Sequence, residues 1–135
     1  MQQLANDVRL ACQLISRRVR FEGTHDIAPH QFSVLIRLRD GATTPSDLAS
    51  IERVSAPSMT RTVNCLEEAG YVRRVQHPDD GRQVLVQLTD DGEAVLDRTI
   101  GNRDSWMMSR IAMLNDDERD LLREASAVLA KLASS

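Results

Sequence analysis

The sequence predicts a mainly α-helical protein with one small β-hairpin set among the helices. Three observations carry that reading. Apolar residues recur at helical spacing along most of the 135-residue chain. Thr44, Ser55, Thr89 and Asn115 stand where helices should begin. The period turns to alternation only between Tyr71 and Leu88, around the turn-forming run His77-Pro78-Asp79-Asp80-Gly81-Arg82.

The first helix carries Leu4, Val8, Ala11, Ile15 and Val19 on one face and Leu10, Leu14 and Phe21 on another. Two apolar stripes imply a helix sandwiched between its own lobe and something else. Gly23 is expected to end it. Pro29 suits the first turn of a second helix, in which Phe32, Leu35, Ile36 and Leu38 are apolar. Thr44-Pro45-Ser46-Asp47 is a helix start: an N-cap Thr, Pro at the first helical position, and an acid three residues after the cap. That helix is short, Pro45 to Ile51. Ser55-Ala56-Pro57-Ser58 opens another a few residues later, ended by Ala69-Gly70 with Gly as the terminator. After the hairpin, Thr89-Asp90-Asp91 caps a long helix with the stripe Leu96, Ile100, Arg103, Met107, Ile111 and Leu114. Asn115 to Glu118 is a capping box that starts a last helix bearing Leu121, Ala125, Val128 and Leu132.

The order is helix, helix, helix-turn-helix, hairpin, long helix, helix. Residues 1–135 read as one unit with two lobes. Residues 28–88 form a winged helix-turn-helix. Residues 1–22 and 89–135 form a helical lobe whose apolar surface exceeds what the small middle lobe covers. A homodimer through the terminal helices is the simplest way to bury it.

The net charge of −3 at first argues against a nucleic-acid partner, but the charge is segregated. Residues 1–44 hold six Arg against four acids, and residues 45–88 hold five Arg against six. Residues 89–124 hold five Arg against ten acids, so the acidity lies in the predicted dimerisation helices. All but one of the 17 basic residues are Arg, the better side chain for bidentate phosphate and guanine contacts. No run approaches the roughly 18 apolar residues of a membrane span. The N-terminus lacks a signal peptide's basic start and apolar run, so the expected compartment is the cytoplasm. A Gly-rich phosphate loop and a nucleophile motif are both absent, so the chain does not read as an enzyme and no cofactor is expected.

The helix from Ala56 to Ala69 is the element with functional content. On a helical wheel Met59, Val63 and Leu66 cluster within about 60°. The opposite face holds Pro57, Arg61, Asn64 and Glu68, flanked by Ser58, Thr60 and Cys65. Small and hydroxylated residues such as Ser55, Pro57, Ser58 and Thr60 let a helix approach DNA and hold phosphate. Arg61 can pair with guanine O6 and N7, and Asn64 with adenine N6 and N7. Taken alone, such a face is more often merely solvated. The short capped helix before it and the hairpin after it shift the balance towards a major-groove reader. At the hairpin tip, Asp80 could pin the Arg82 guanidinium, and the extended Arg could enter a narrow minor groove. Arg73 and Arg74 on the strand would supply phosphate contacts.

These segments resemble the MarR (multiple antibiotic resistance regulator) family of bacterial transcription factors, over nearly the whole chain. The most specific stretches are Thr44-Pro45-Ser46-Asp47-Leu48-Ala49, Val54-Ser55-Ala56-Pro57-Ser58-Met59-Thr60-Arg61 and Leu66-Glu67-Glu68-Ala69-Gly70-Tyr71-Val72. The Asp80-x-Arg82 pair and the closing Leu88-Thr89 match the family's wing pattern. The resemblance implies a homodimer with terminal helices at its interface, bound to a pseudo-palindromic duplex site and usually acting as a repressor. It also implies, for many members, release of DNA when a small phenolic or other aromatic anion binds between the lobes.

Other signals are weaker. Cys12 is a candidate redox thiol, since some relatives sense peroxide through a thiol on the first helix, but a small residue in a helix interface is the plainer reading. Cys65 reads as a bystander. His25, His30 and His77 lack ligand spacing, so no metal is expected. His77 suits a turn or a phosphate contact. Trp106, Met107, Met108 and Met113 suggest core or dimer interface, with a ligand pocket as the alternative. A winged-helix module that binds protein and not DNA is the remaining alternative, and the outward Arg61 and Asn64 argue against it.

Overall fold

A computed structural model describes residues 1–22 and 27–135; Gly23 and His25 lie outside the described residues. In chain order the elements are α1 (Gln2–Phe21), α2 (Pro29–Arg39), α3 (Pro45–Glu52), α4 (Ala56–Glu68), β1 (Val72–Gln76), β2 (Val84–Leu88), α5 (Asp90–Ile111) and α6 (Asp116–Ala133). The mainly helical class with a single hairpin is the one the sequence predicts. Among the described residues no helix is long and apolar enough to cross a membrane.

Helix boundaries follow the caps. The side chains of Thr44, Ser55, Thr89 and Asn115 accept from the backbone N–H of Asp47, Ser58, Gly92 and Glu118. Each satisfies one of the N–H groups that a helix start leaves without an internal partner. Glu118 also reaches back to the Asn115 N–H at 3.0 Å, completing the box. Helix α4 ends as Gly70 takes φ +84, which a side chain resists, and the Tyr71 N–H folds back onto the Leu66 carbonyl at 2.9 Å. The turn between α3 and α4 uses a left-handed residue too, Arg53 at φ 56.

The core fills the helix-turn-helix lobe and the root of α5. Leu35, Leu48, Met59, Val63, Leu66, Val86, Val95 and Leu96 are almost wholly buried. The α4 stripe Met59, Val63 and Leu66 is therefore the inward face, as its spacing requires. β1 and β2 pair antiparallel with Val72 opposite Leu88 and Gln76 opposite Val84. A short third partner lies outside the sequence reading. Thr43, just before α3, exchanges two backbone hydrogen bonds with Val86 at 3.2 and 2.8 Å. This bridge ties the wing to the entry of the helix-turn-helix.

The outer helices behave differently. No residue of α1 or α6 is buried. Leu4, Leu14, Ile15, Phe21, Leu121, Val128 and Leu132 are all exposed in the single chain. On the first α1 stripe Val8 and Val19 are half-buried, whereas Leu10, Leu14 and Phe21 of the second are all exposed, so the single chain covers α1 on one side only. Met108 and Met113 are likewise exposed, not core. Trp106 is half-buried, with the Arg18 and Arg110 guanidinium carbons 5.7 and 5.4 Å from its ring centroid. Arg39 connects α2 to α5 through Asp97 at 2.5 Å and Glu93 at 3.5 Å. The hydrogen bond to Asp97 raises the Arg39 guanidinium further above its ordinary pKa.

Candidate nucleic-acid interface

Helix α4 presents Pro57, Arg61 and Asn64 to solvent, with Ser58 half-buried at their edge, because its inward positions are taken by Met59, Val63 and Leu66. Ser55 is spent on structure: its hydroxyl is the N-cap acceptor for the Ser58 N–H at 3.2 Å. Thr60 turns its hydroxyl back onto the Ala56 carbonyl at 3.0 Å. Arg61 folds one turn back, donating from Nη2 to the Ser58 Oγ at 3.1 Å. These contacts hold the outward side chains near the start of α4, where the helix N–H groups and dipole favour an anion such as phosphate.

The two strand arginines are engaged. Arg73 donates to the Gln87 side chain across the hairpin at 2.9 Å. Arg74 donates to Glu67 at 2.6 Å and to Asn64 at 2.7 Å, so it binds the wing root to α4. The sequence treats Arg73 and Arg74 only as phosphate ligands. Their present partners are protein groups, found across the hairpin and across the helix–strand junction.

The tip is built by local polar contacts. Nδ1 of His77 accepts from the N–H groups of Asp79 and Asp80, both at 3.1 Å. Of the two roles open to His77, this is the turn. Asp80 accepts from the Arg82 backbone N–H at 3.1 Å, while its approach to the guanidinium is 3.7 Å. The carboxylate thus shapes the turn more than it pins the side chain. The Arg82 side chain is 96% exposed and projects from the end of the hairpin. A short tip that projects an exposed cation is suited to a narrow, negative groove.

A cleft of about 510 Å³ opens between α1, α2 and α5. Arg20, Phe32, Arg37 and Arg103 line it. The Arg103 guanidinium carbon stands 3.9 Å from the Phe32 ring centroid. Its Nε is buried and has no hydrogen-bond partner among the described residues. Burial first, and then repulsion from Arg20, lowers the Arg103 guanidinium below its usual pKa. The signal is present in the sequence, as one Arg on the apolar stripe of α5, but its partners Phe32 and Arg20 come from other helices. Cys12 and Cys65 are both free and exposed in the single chain, so Cys12 is not buried by the chain's own helices.

A helix-turn-helix, an exposed polar second helix and an arginine-tipped hairpin define a winged-helix protein. Comparison with known proteins gives the family. The family model described as MarR family matches residues 27–84. An HTH-type transcriptional regulator of Mycobacterium bovis, Mb0904, is 41% identical over 132 residues, covering 96% of this chain and 92% of its own. Among solved structures, the transcriptional regulator Tm0710 of Thermotoga maritima superposes with a TM-score of 0.77 at 26% identity, covering 100% of this chain and 99% of its own. A MepR mutant of S. aureus, bound to an oligodeoxyribonucleotide, shares the fold with a TM-score of 0.74 at 18% identity, covering 97% of this chain and 96% of its own. The chain belongs to the MarR family of winged-helix transcriptional regulators. These relatives are regulators and not enzymes.

Proposed function

We propose that the protein binds a pseudo-palindromic duplex DNA site as a homodimer and represses transcription by occupying it, in the cytoplasm. The observation that carries the reading is the outward surface of α4 and the wing. Pro57, Arg61 and Asn64 lie on one exposed face beside the half-buried Ser58, and the Arg82 side chain projects at the hairpin tip. In this reading residues 28–88 hold the DNA, with α4 in the major groove and Arg82 in the minor groove. Residues 1–22 and 89–135 dimerise through their uncovered apolar faces, which sets two α4 helices about one helical turn of DNA apart. The MepR neighbour supports DNA as the ligand, because the same fold there is bound to an oligodeoxyribonucleotide. A dimer spread over two half-sites blocks polymerase access to any promoter it overlaps.

Binding to DNA fragments captured from the source genome, measured at fixed salt, tests the assignment. Arg61→Ala is expected to cost roughly 1–3 kcal/mol of specific affinity. Arg82→Ala is expected to weaken binding across sequences and to lower the salt slope by about 1. Equal affinities for wild type and both variants would remove α4 and the wing from the interface.

The arginine cleft supports the effector half of the reading. A small aromatic carboxylate could place its ring beside Phe32 and its charge beside Arg103 and Arg20, giving the buried Nε of the half-buried Arg103 an acceptor. Benzoate or a hydroxybenzoate is expected to release the wild-type protein from DNA. Arg103→Gln should bind DNA normally yet need at least about tenfold more of the acid, since a charge-assisted contact contributes about 1.5–3 kcal/mol. Release at the same concentration from both proteins would place the effector elsewhere.

A further inference from the structure

The contact between α4 and the wing root decides how Asn64 can read a base. Asn64 is exposed on the outward face of α4. Its Oδ1 accepts a 2.7 Å hydrogen bond from Nη2 of Arg74. The other arm of that guanidinium, Nη1, donates to Oε1 of Glu67 at 2.6 Å. A guanidinium offers donors only, so the atom that Asn64 turns towards it must be the oxygen and not the amide nitrogen. Glu67 holds the guanidinium from its far side, and both partners lie on α4, so the fork is anchored twice on the helix it orients.

The consequence is chemical. Pairing with adenine requires both ends of the amide at the base edge, the oxygen accepting from N6 and the nitrogen donating to N7. Here Arg74 takes one of the two lone pairs of Oδ1 and turns the oxygen towards the wing root, so the end of the amide that leads at a base edge is Nδ2 with two N–H donors. Among major-groove edges, guanine presents two adjacent acceptors, N7 and O6, whereas adenine presents one acceptor beside a donor. We propose, resting on the DNA-binding reading above, that the Glu67–Arg74 pair makes Asn64 lead with its Nδ2 donors, so that it selects guanine over adenine at the base it faces. This reverses the preference that Asn64 would have as an unrestrained side chain. Arg74 is therefore a positioning residue for specificity, in addition to any phosphate it neutralises.

Selection from a random double-stranded DNA library at matched salt tests this, using full-length wild type, Asn64→Ala, Arg74→Met and Glu67→Ala. Asn64→Ala identifies the position read, as the one whose base preference disappears. Wild type is expected to favour guanine over adenine there by roughly fivefold or more, the lower range for a good base contact. Arg74→Met frees Oδ1 and should move the preference at that position towards adenine. Glu67→Ala, which leaves Arg74 in place but loosely held, should move it part of the way. Loss of a phosphate contact alone would weaken all sequences alike and leave the ranking fixed. A wild-type motif whose ranking is unmoved by Arg74→Met, or a wild-type adenine at the position Asn64 reads, overturns the proposal while DNA binding stands. Enrichment of no sequence by wild type overturns both.

Discussion

Gly92→Ala is expected to lower the thermal midpoint by about 10 °C or more, from a loss of about 3 kcal/mol. Gly92 is buried in the first turn of α5, and its N–H donates to the Thr89 hydroxyl that caps the helix. A methyl group added there would run into the Tyr71 carbonyl oxygen and lie 2.7 Å from the Leu88 Cδ1. The Leu88 side chain can rotate aside. The Tyr71 carbonyl cannot, because it accepts the Thr89 N–H at 3.1 Å and lies between the αL turn of Gly70 and the start of β1. Overpacking against flexible side chains costs about 1–3 kcal/mol, and a backbone obstacle puts this case at the upper end. Gly101→Ala on the same helix is the control. Nothing lies within 4 Å of its added methyl, so it should be stabilising by roughly 0.5–1 kcal/mol. Thermal unfolding followed by circular dichroism separates the two. A Gly92→Ala midpoint within about 2 °C of wild type would show that the α5 cap can shift away from Tyr71 at little cost.

The same junction shows where sequence reasoning reaches and where it stops. Caps are legible because an N-cap and its N–H partner are three residues apart, so Thr44, Ser55, Thr89 and Asn115 mark their helices without knowledge of the fold. The α4 stripe is legible for a related reason: the 3.6-residue period places Met59, Val63 and Leu66 together whatever they pack against. The roles of polar residues depend on contacts between elements. Asn64 and Arg74 are ten residues apart and meet only because the chain reverses at Gly70. From the sequence each is a free DNA ligand, and in the fold they restrain each other. The Thr43–Val86 bridge is a pair of hydrogen bonds with no run of residues to announce it. Gly92 has the same character. In the sequence it is an ordinary helix residue, and only the proximity of the Tyr71 carbonyl makes it irreplaceable.

Charging the proposed dimer surface is expected to have the largest effect on DNA binding. Leu14 on α1 and Leu121 on α6 are 60% and 67% exposed in the single chain, and neither helix has a buried residue. Replacing both with Glu removes apolar surface that a partner would bury and leaves carboxylates that a dry interface cannot solvate. The variant should sediment near the 15.1 kDa of one chain, whereas wild type should sediment near twice that mass. Operator affinity should fall by about 10²–10⁴, because a monomer loses the gain of holding the second half-site intramolecularly. Helix content should change little, since neither position belongs to the buried core. A dimeric double variant, or a monomeric wild type at micromolar concentration, would exclude these faces as the interface. The ordering of effects also matters. Arg61 and Arg82 each contribute one contact per half-site, but the terminal helices determine whether the two half-sites are held together at all. In the proposed assembly, residues far from the groove therefore control affinity more strongly than those inside it.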